Sequence, residues 1–177
     1  MLAAIAVLAL LGVMITVGSN LATKSLNKSM YISNSALLGD TLNKAIIDVL
    51  RFSTPGDATE SGTNVRFTCD TYGVINGYFE INENGLLDLN YGKAKIHDND
   101  GNTVVKSPEL IVNIGTYAGL KVKDLSIRYD TESKTYSGAY TIMSEELDLE
   151  KNCDFTVKPF DIKYQQGLII DDDGNID

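Results

Sequence analysis

MLAAIAVLALLGVMITVGSNLATKSLNKSMYISNSALLGDTLNKAIIDVLRFSTPG, residues 1–56, decides the fold of this chain. From Met1 to Thr23 it holds no charged side chain. Aliphatic side chains left in water forgo about 1.5–3 kcal/mol each relative to burial, so this run must leave water. About 20 apolar residues cross a bilayer as a helix, and the run with its polar flank is long enough. Beyond it the pattern changes. Leu38, Leu42, Ala45, Ile46 and Val49 recur at three- and four-residue intervals, the spacing of one helical face, while Asn34, Asn43, Lys44, Asp48 and Arg51 fall mainly between them. No proline interrupts before Pro55. The spacing therefore predicts one helix from Met1 to Phe52, about 75 Å long at 1.5 Å per residue. Ser53, Thr54, Pro55 and Gly56 end it, because proline lacks the donor and pushes its predecessor out of the α region.

A helix apolar all round in its first half and amphipathic in its second needs two environments. The chain divides accordingly: residues 1–23 for a membrane or a filament core, 24–54 for packing on a domain, and 55–177 for a β-rich outer domain. Leu38, Leu42, Ile46 and Val49 are expected to meet the sheet. Ala3, Ala4, Ala6, Ala9, Leu10, Gly12 and Gly18 form the face on which copies of the helix approach closely, although small residues are common in any membrane helix.

Three readings of the apolar run compete. In a cleavable signal, Val17 and Ser19 are the small residues before a cut, but no basic segment precedes the run and it is long for such a signal. An ordinary signal anchor is the second. The third is half of a long assembly helix, in the membrane before assembly and in a filament core afterwards. The helical pattern continuing past Gly18 to Arg51 favours the third.

These residues carry a family resemblance. MLAAIAVLALLGVMI resembles the stretch that follows the prepilin-peptidase motif in type IV pilins and type II secretion pseudopilins, and the likeness extends over about the first 50 residues. Those proteins carry a short basic leader, a glycine, a Phe-Thr-Leu-Val-Glu motif and then such a run. This sequence starts past the place of that motif, so no residue here takes the cleavage site, the methylated terminus or the glutamate, and the resemblance implies a leader upstream of Met1. Such a leader also settles orientation. Lys24 and Lys28 follow the run with no basic residue before it, which alone leaves the outer domain cytoplasmic, and a basic leader reverses this. The resemblance implies a pilin-like α+β fold, with the apolar half of the helix protruding and the other half on an antiparallel sheet. It implies other pilin or pseudopilin subunits, a prepilin peptidase and an assembly platform as partners, and a single-pass membrane protein that ends in an extracellular or periplasmic filament.

The outer domain reads as short strands and turns. Val74-Ile75-Asn76-Gly77-Tyr78-Phe79 predicts a type I′ hairpin, since Asn-Gly accepts positive φ at both turn positions. Glu83-Asn84-Gly85 marks a turn before Leu86-Leu87-Asp88-Leu89. Ile127-Arg128-Tyr129 and Tyr140-Thr141-Ile142 flank the polar span Asp130 to Ser137 as a longer hairpin. Leu110 to Ile114 is expected to be a more buried strand and Leu168-Ile169-Ile170 a closing one. The class is α+β, with the second half of the helix covering one face of an antiparallel sheet.

Chemistry-bearing residues are sparse. A net charge of −9, from 24 acidic and 15 basic side chains, repels phosphate and argues against nucleic acid. One His and two Cys leave little for a transition-metal or His-based site. His97 reads as surface decoration, and no hydroxyl has an evident base partner. Asp98, Asp100, Asn102 and Glu109 partly match a calcium loop, but Gly101 stands fourth where the turn needs a sixth-position glycine, so a plain turn is the better reading. Asp171-Asp172-Asp173 reads as a solvated tail. Cys69 and Cys153 form one disulfide in an exported domain or stay buried thiols, with equal support. No catalytic set and no cofactor site is visible. The function expected is structural, as a subunit, major or minor, of a type IV pilus or type II secretion pseudopilus. The alternative is a membrane-anchored extracellular binding module for glycans or calcium that does not polymerise. A secreted hydrolase lacks its catalytic residues.

Overall fold

The computed structural model describes residues 2–97 and 103–160, with the backbone alone for residues 2–6 and 97. A single helix, α1 (Leu2–Arg51), runs without a break from the start of the apolar run to the predicted stop. Ten strands follow among the described residues: β1 (Thr54–Ala58), β2 (Val65–Cys69), β3 (Val74–Ile81), β4 (Leu87–Asn90), β5 (Lys95–His97), β6 (Thr103–Val105), β7 (Glu109–Leu110), β8 (Lys121–Asp130), β9 (Thr135–Ser144) and β10 (Leu149–Val157). Short 3-10 turns lie at Asp70–Tyr72 and Ile114–Tyr117. The fold is α+β.

The strands form a five-stranded sheet in the order β1-β2-β3-β4-β7, a three-stranded sheet in the order β10-β9-β8 and a separate β5-β6 hairpin, every pair antiparallel. There are thus two main sheets under the helix rather than one. The upper half of α1 lies chiefly on β9 and β10 and reaches β2. Asn64 stitches the sheets together: its amide donates to Phe79 O at 3.1 Å and its Oδ1 accepts from Ile127 N at 3.0 Å. The core between the layers holds Phe67, Phe79, Leu87, Tyr117, Ile127, Tyr136, Tyr140 and Ile142, all almost fully buried.

Several strand expectations are corrected. Asn76-Gly77 makes no hairpin but sits inside β3. Phe67 faces Gly77 and Cys69 faces Val74, so β3 carries one extra residue as a bulge. Asn76 takes the positive φ expected of it (54°). Gly77 is required because an added Cβ would run into the Asn90 carbonyl oxygen. The span 110–114 is not a buried strand: β7 stops at Leu110, and Ile114 is exposed in a 3-10 turn. Strand β10 was not expected, although Cys153, Phe155 and Val157 alternate inward. The Gly85 turn (φ 73°) and the β8–β9 hairpin lie where expected, the latter closing tightly with Asp130 opposite Thr135. The segments 98–102 and 168–173 lie outside the described residues.

Candidate functional site

The helix divides sharply into a covered and a bare half. On the covered half Leu38, Leu42, Ile46 and Leu50 are completely buried and Val49 nearly so. Each buried aliphatic side chain there contributes at most about 1.5–3 kcal/mol. Four of these five are the residues assigned to the sheet face; Leu50 was missed. Tyr31 and Ser35 extend the face downward, and Tyr31 Oη donates to Ile142 O at 3.4 Å. Gly39 is the point of closest approach, where a Cβ would meet Cys153 Sγ at 3.0 Å.

From Val7 to Met30 every described side chain except the half-buried Asn27 is exposed. Leu8, Leu10, Val13, Met14, Ile15 and Leu21 are each 60–69% exposed. The helix is long and apolar enough to cross a membrane, and none of its most apolar window is buried in the molecule. A core helix of a water-soluble domain of this length would be covered; this one is not. Two further details suit an apolar solvent. Thr16 and Thr23 donate to the carbonyls of Gly12 and Ser19 four residues back, at 2.9 and 3.0 Å, so neither hydroxyl needs water. A Cβ at Gly12 or Gly18 would meet nothing within 4 Å. Each glycine costs about 1 kcal/mol in a helix interior relative to alanine, with no close packing inside the chain to offset it. Leu10 is exposed on the same half, while the side chains of Ala3 and Ala6 lie outside the described residues.

Among the described residues, the outer domain brings no comparable constellation together. Both cysteines are free and buried, so the disulfide alternative fails. Cys69 Sγ lies 3.6 Å from Val49 O while Cys153 Sγ abuts Gly39, positions about 15 Å apart along α1 at 1.5 Å per residue. Burial raises the pKa of both thiols. Of the calcium candidates, Asp98, Asp100 and Asn102 lie outside the described residues. Glu109 is engaged elsewhere, accepting from Tyr91 Oη at 2.8 Å and pairing with Lys106 at 3.5 Å, while that lysine caps the Tyr91 ring. Among the described residues no three His, Cys, Asp or Glu side chains gather as a metal site.

An open groove of about 530 Å³ runs between Glu60, Asn64, Arg66, Tyr78 and Glu80. Its aromatic ring is not free to stack on a sugar from both sides, because the Arg66 guanidinium covers it at 4.9 Å and donates to Asn76 O at 3.3 Å. Asn64 is spent on the inter-sheet bonds described above. The groove therefore offers few uncommitted donors.

No protein-family model, no curated protein and no solved structure matches this chain.

Proposed function

We propose that this chain is a structural subunit, not an enzyme, inserted in the membrane by its N-terminal helix and polymerising through that helix in the manner of type IV pilins and type II secretion pseudopilins. One observation carries the reading. A continuous 50-residue helix packs one face on its own domain from Tyr31 upward, while its described side chains before Tyr31 are almost all exposed. An isolated apolar half-helix is unfavourable in water and finds either lipid or copies of itself. A subunit that moves from membrane to filament uses both in turn. A cleavable signal is disfavoured because the helix passes through residues 18–30 without a turn. The partners are other copies or related subunits and, by resemblance, a prepilin peptidase and an assembly platform. The outer domain faces the extracellular or periplasmic side, and the filament forms there.

The test is assembly of the purified full-length chain. Detergent removal should give filaments visible by negative-stain electron microscopy, with the β domains outward. Monomers that merely insert into liposomes, with no filament at any protein concentration, would contradict polymerisation and favour a tethered binding module.

A further inference from the structure

A notch opens where α1 meets the underside of the outer domain. Its volume is about 180 Å³, and across it Asn27, Met30 and Tyr31 of the helix face Leu120, Glu146 and Leu147 of the domain. That is room for about six waters at ~30 Å³ each, enough for a small polar group. Glu146 is exposed and enters none of the described ion pairs, unlike its neighbour Glu145, which Lys121 holds at 2.7 Å. Lys24 and Lys28 precede Tyr31 by seven and three residues, so they stand on the same helical face, below the notch. Both are exposed, and neither enters a described ion pair. The notch thus has a carboxylate at its wall and two ammonium groups beneath it.

Depth decides what reaches it. This step rests on the membrane half of the reading above, not on polymerisation. Residues 2–23 span about 33 Å as a helix, matching a hydrocarbon core of about 30 Å, and each headgroup layer adds about 5–7 Å. That layer runs from Lys24 to about Lys28, and the notch opens at Asn27 and Met30, at its outer edge. Lipid headgroups are therefore what stands before the notch while the chain is in the membrane. The lysines also need a reason to be there. Basic residues are disfavoured on the outward flank of a span, yet these two are the only charges before Asp40. Lipid phosphate at their level supplies the opposite charge. Glu146, farther out, repels a purely anionic headgroup and accepts from a cationic donor.

We propose that the notch holds the headgroup of a phosphatidylethanolamine from the leaflet beneath the domain, with Lys24 and Lys28 on the phosphate and Glu146 on the terminal ammonium. The order along the membrane normal fits, since the phosphate lies next to the hydrocarbon and the ammonium two carbons beyond it. The apolar walls at Met30, Leu120 and Leu147 cover those two methylenes. A trimethylammonium headgroup has no N–H to donate to Glu146, and a glycerol headgroup has no charge to meet it. The contact seats the outer domain on the bilayer, so it belongs to the subunit waiting in the membrane and is given up on assembly.

Lipid competition tests this with the full-length chain. The chain is placed in vesicles holding equal parts of phosphatidylethanolamine, phosphatidylcholine and phosphatidylglycerol with the same acyl chains. It is then extracted in mild detergent, and its retained lipids are counted by native mass spectrometry. Phosphatidylethanolamine should exceed each of the others by about tenfold, the worth of one charge-assisted hydrogen bond. Glu146→Gln should remove its lead over phosphatidylcholine, and Lys24→Gln with Lys28→Gln should lower all retained lipid by about tenfold. Glu145→Gln removes the same charge one residue away and should change neither. All four positions are exposed, so an unchanged melting temperature in detergent will show that the fold is intact. Equal retention of the three lipids, a preference for either of the others, or a preference that survives Glu146→Gln would overturn the site. So would an equal loss in Glu145→Gln, which would mean that bulk charge alone selects the lipid. A chain that fails to float with the vesicles would instead overturn membrane insertion itself.

Discussion

The Tyr140 hydroxyl donates to the Gly39 carbonyl at 3.0 Å, and beside it Cys153 Sγ fills the space a side chain at position 39 would need. The hydroxyl also lies 2.9 Å from Asn43 Oδ1. Helix and sheet are thus pinned where a glycine lets β9 and β10 come close. In an exposed helix Gly→Ala stabilises by about 1 kcal/mol. Here the crowding at Cys153 opposes that gain. Gly39→Ala should therefore leave stability level or lower, whereas in a Cys153→Ala background it should stabilise by about 1 kcal/mol. Urea unfolding of the four chains of this double-mutant cycle measures the coupling.

The two faces of the covered half should respond oppositely to truncation. Leu42→Ala empties a buried site and should cost about 2–5 kcal/mol of domain stability. Leu37→Ala on the outer face should stay within about 0.5 kcal/mol in the monomer. Equal destabilisation by the two would mean that the outer face is packed within the monomer.

Gly77 carries a third expectation. Its Cβ would enter the carbonyl of Asn90, which is backbone and cannot rotate away. Gly77→Ala should cost about 1–3 kcal/mol or more and loosen the β3–β4 pairing, visible as faster amide exchange at Tyr78 and Phe79. A neutral substitution would show that the bulge is not as tight as described.

High pH should weaken the domain. Burial pushes the Tyr136 hydroxyl up to about 12, against a partial offset from Ser53 Oγ at 3.1 Å, and burial also raises Tyr117 and Tyr140. An unfolded tyrosine titrates near 10. Below that, both states hold the proton and stability is unaffected. Above it the unfolded chain ionises first, so stability falls progressively as pH rises from about 10 through about 12, by ~2–3 kcal/mol for Tyr136 alone. Tyr136→Phe should flatten part of that slope in unfolding measured at pH 8 and pH 11.

The helix was the most legible part of the chain. Its length, stop and buried face follow from local periodicity and one proline, and Leu38, Leu42, Ile46 and Val49 sit as their spacing requires. The strands were harder for identifiable reasons. Asn-Gly demands a positive φ, and both a hairpin and a bulge supply it; only the pairing with β2 distinguishes them. Strand β10 hides its alternation because a cysteine begins the inward series and Glu150, Lys151, Asn152 and Asp154 surround it. Leu110-Ile111-Val112 is apolar enough for a core strand, yet β7 meets only the edge of β4 at two positions. The outward Ile32 and Leu37 break the simple amphipathic pattern of the covered half.

The division of one helix between two environments is tested most directly by removing the bare half. A chain beginning at Lys24 should sediment as a monomer without detergent. Its melting temperature should lie within about 2 °C of the full-length chain in detergent, a shift of less than ~1 kcal/mol at this size. The full-length chain should sediment as large assemblies once detergent is removed. A shortened chain that aggregates, or melts many degrees lower, would show that residues before Lys24 belong to the domain's own core, and the filament-subunit reading would lose its physical basis.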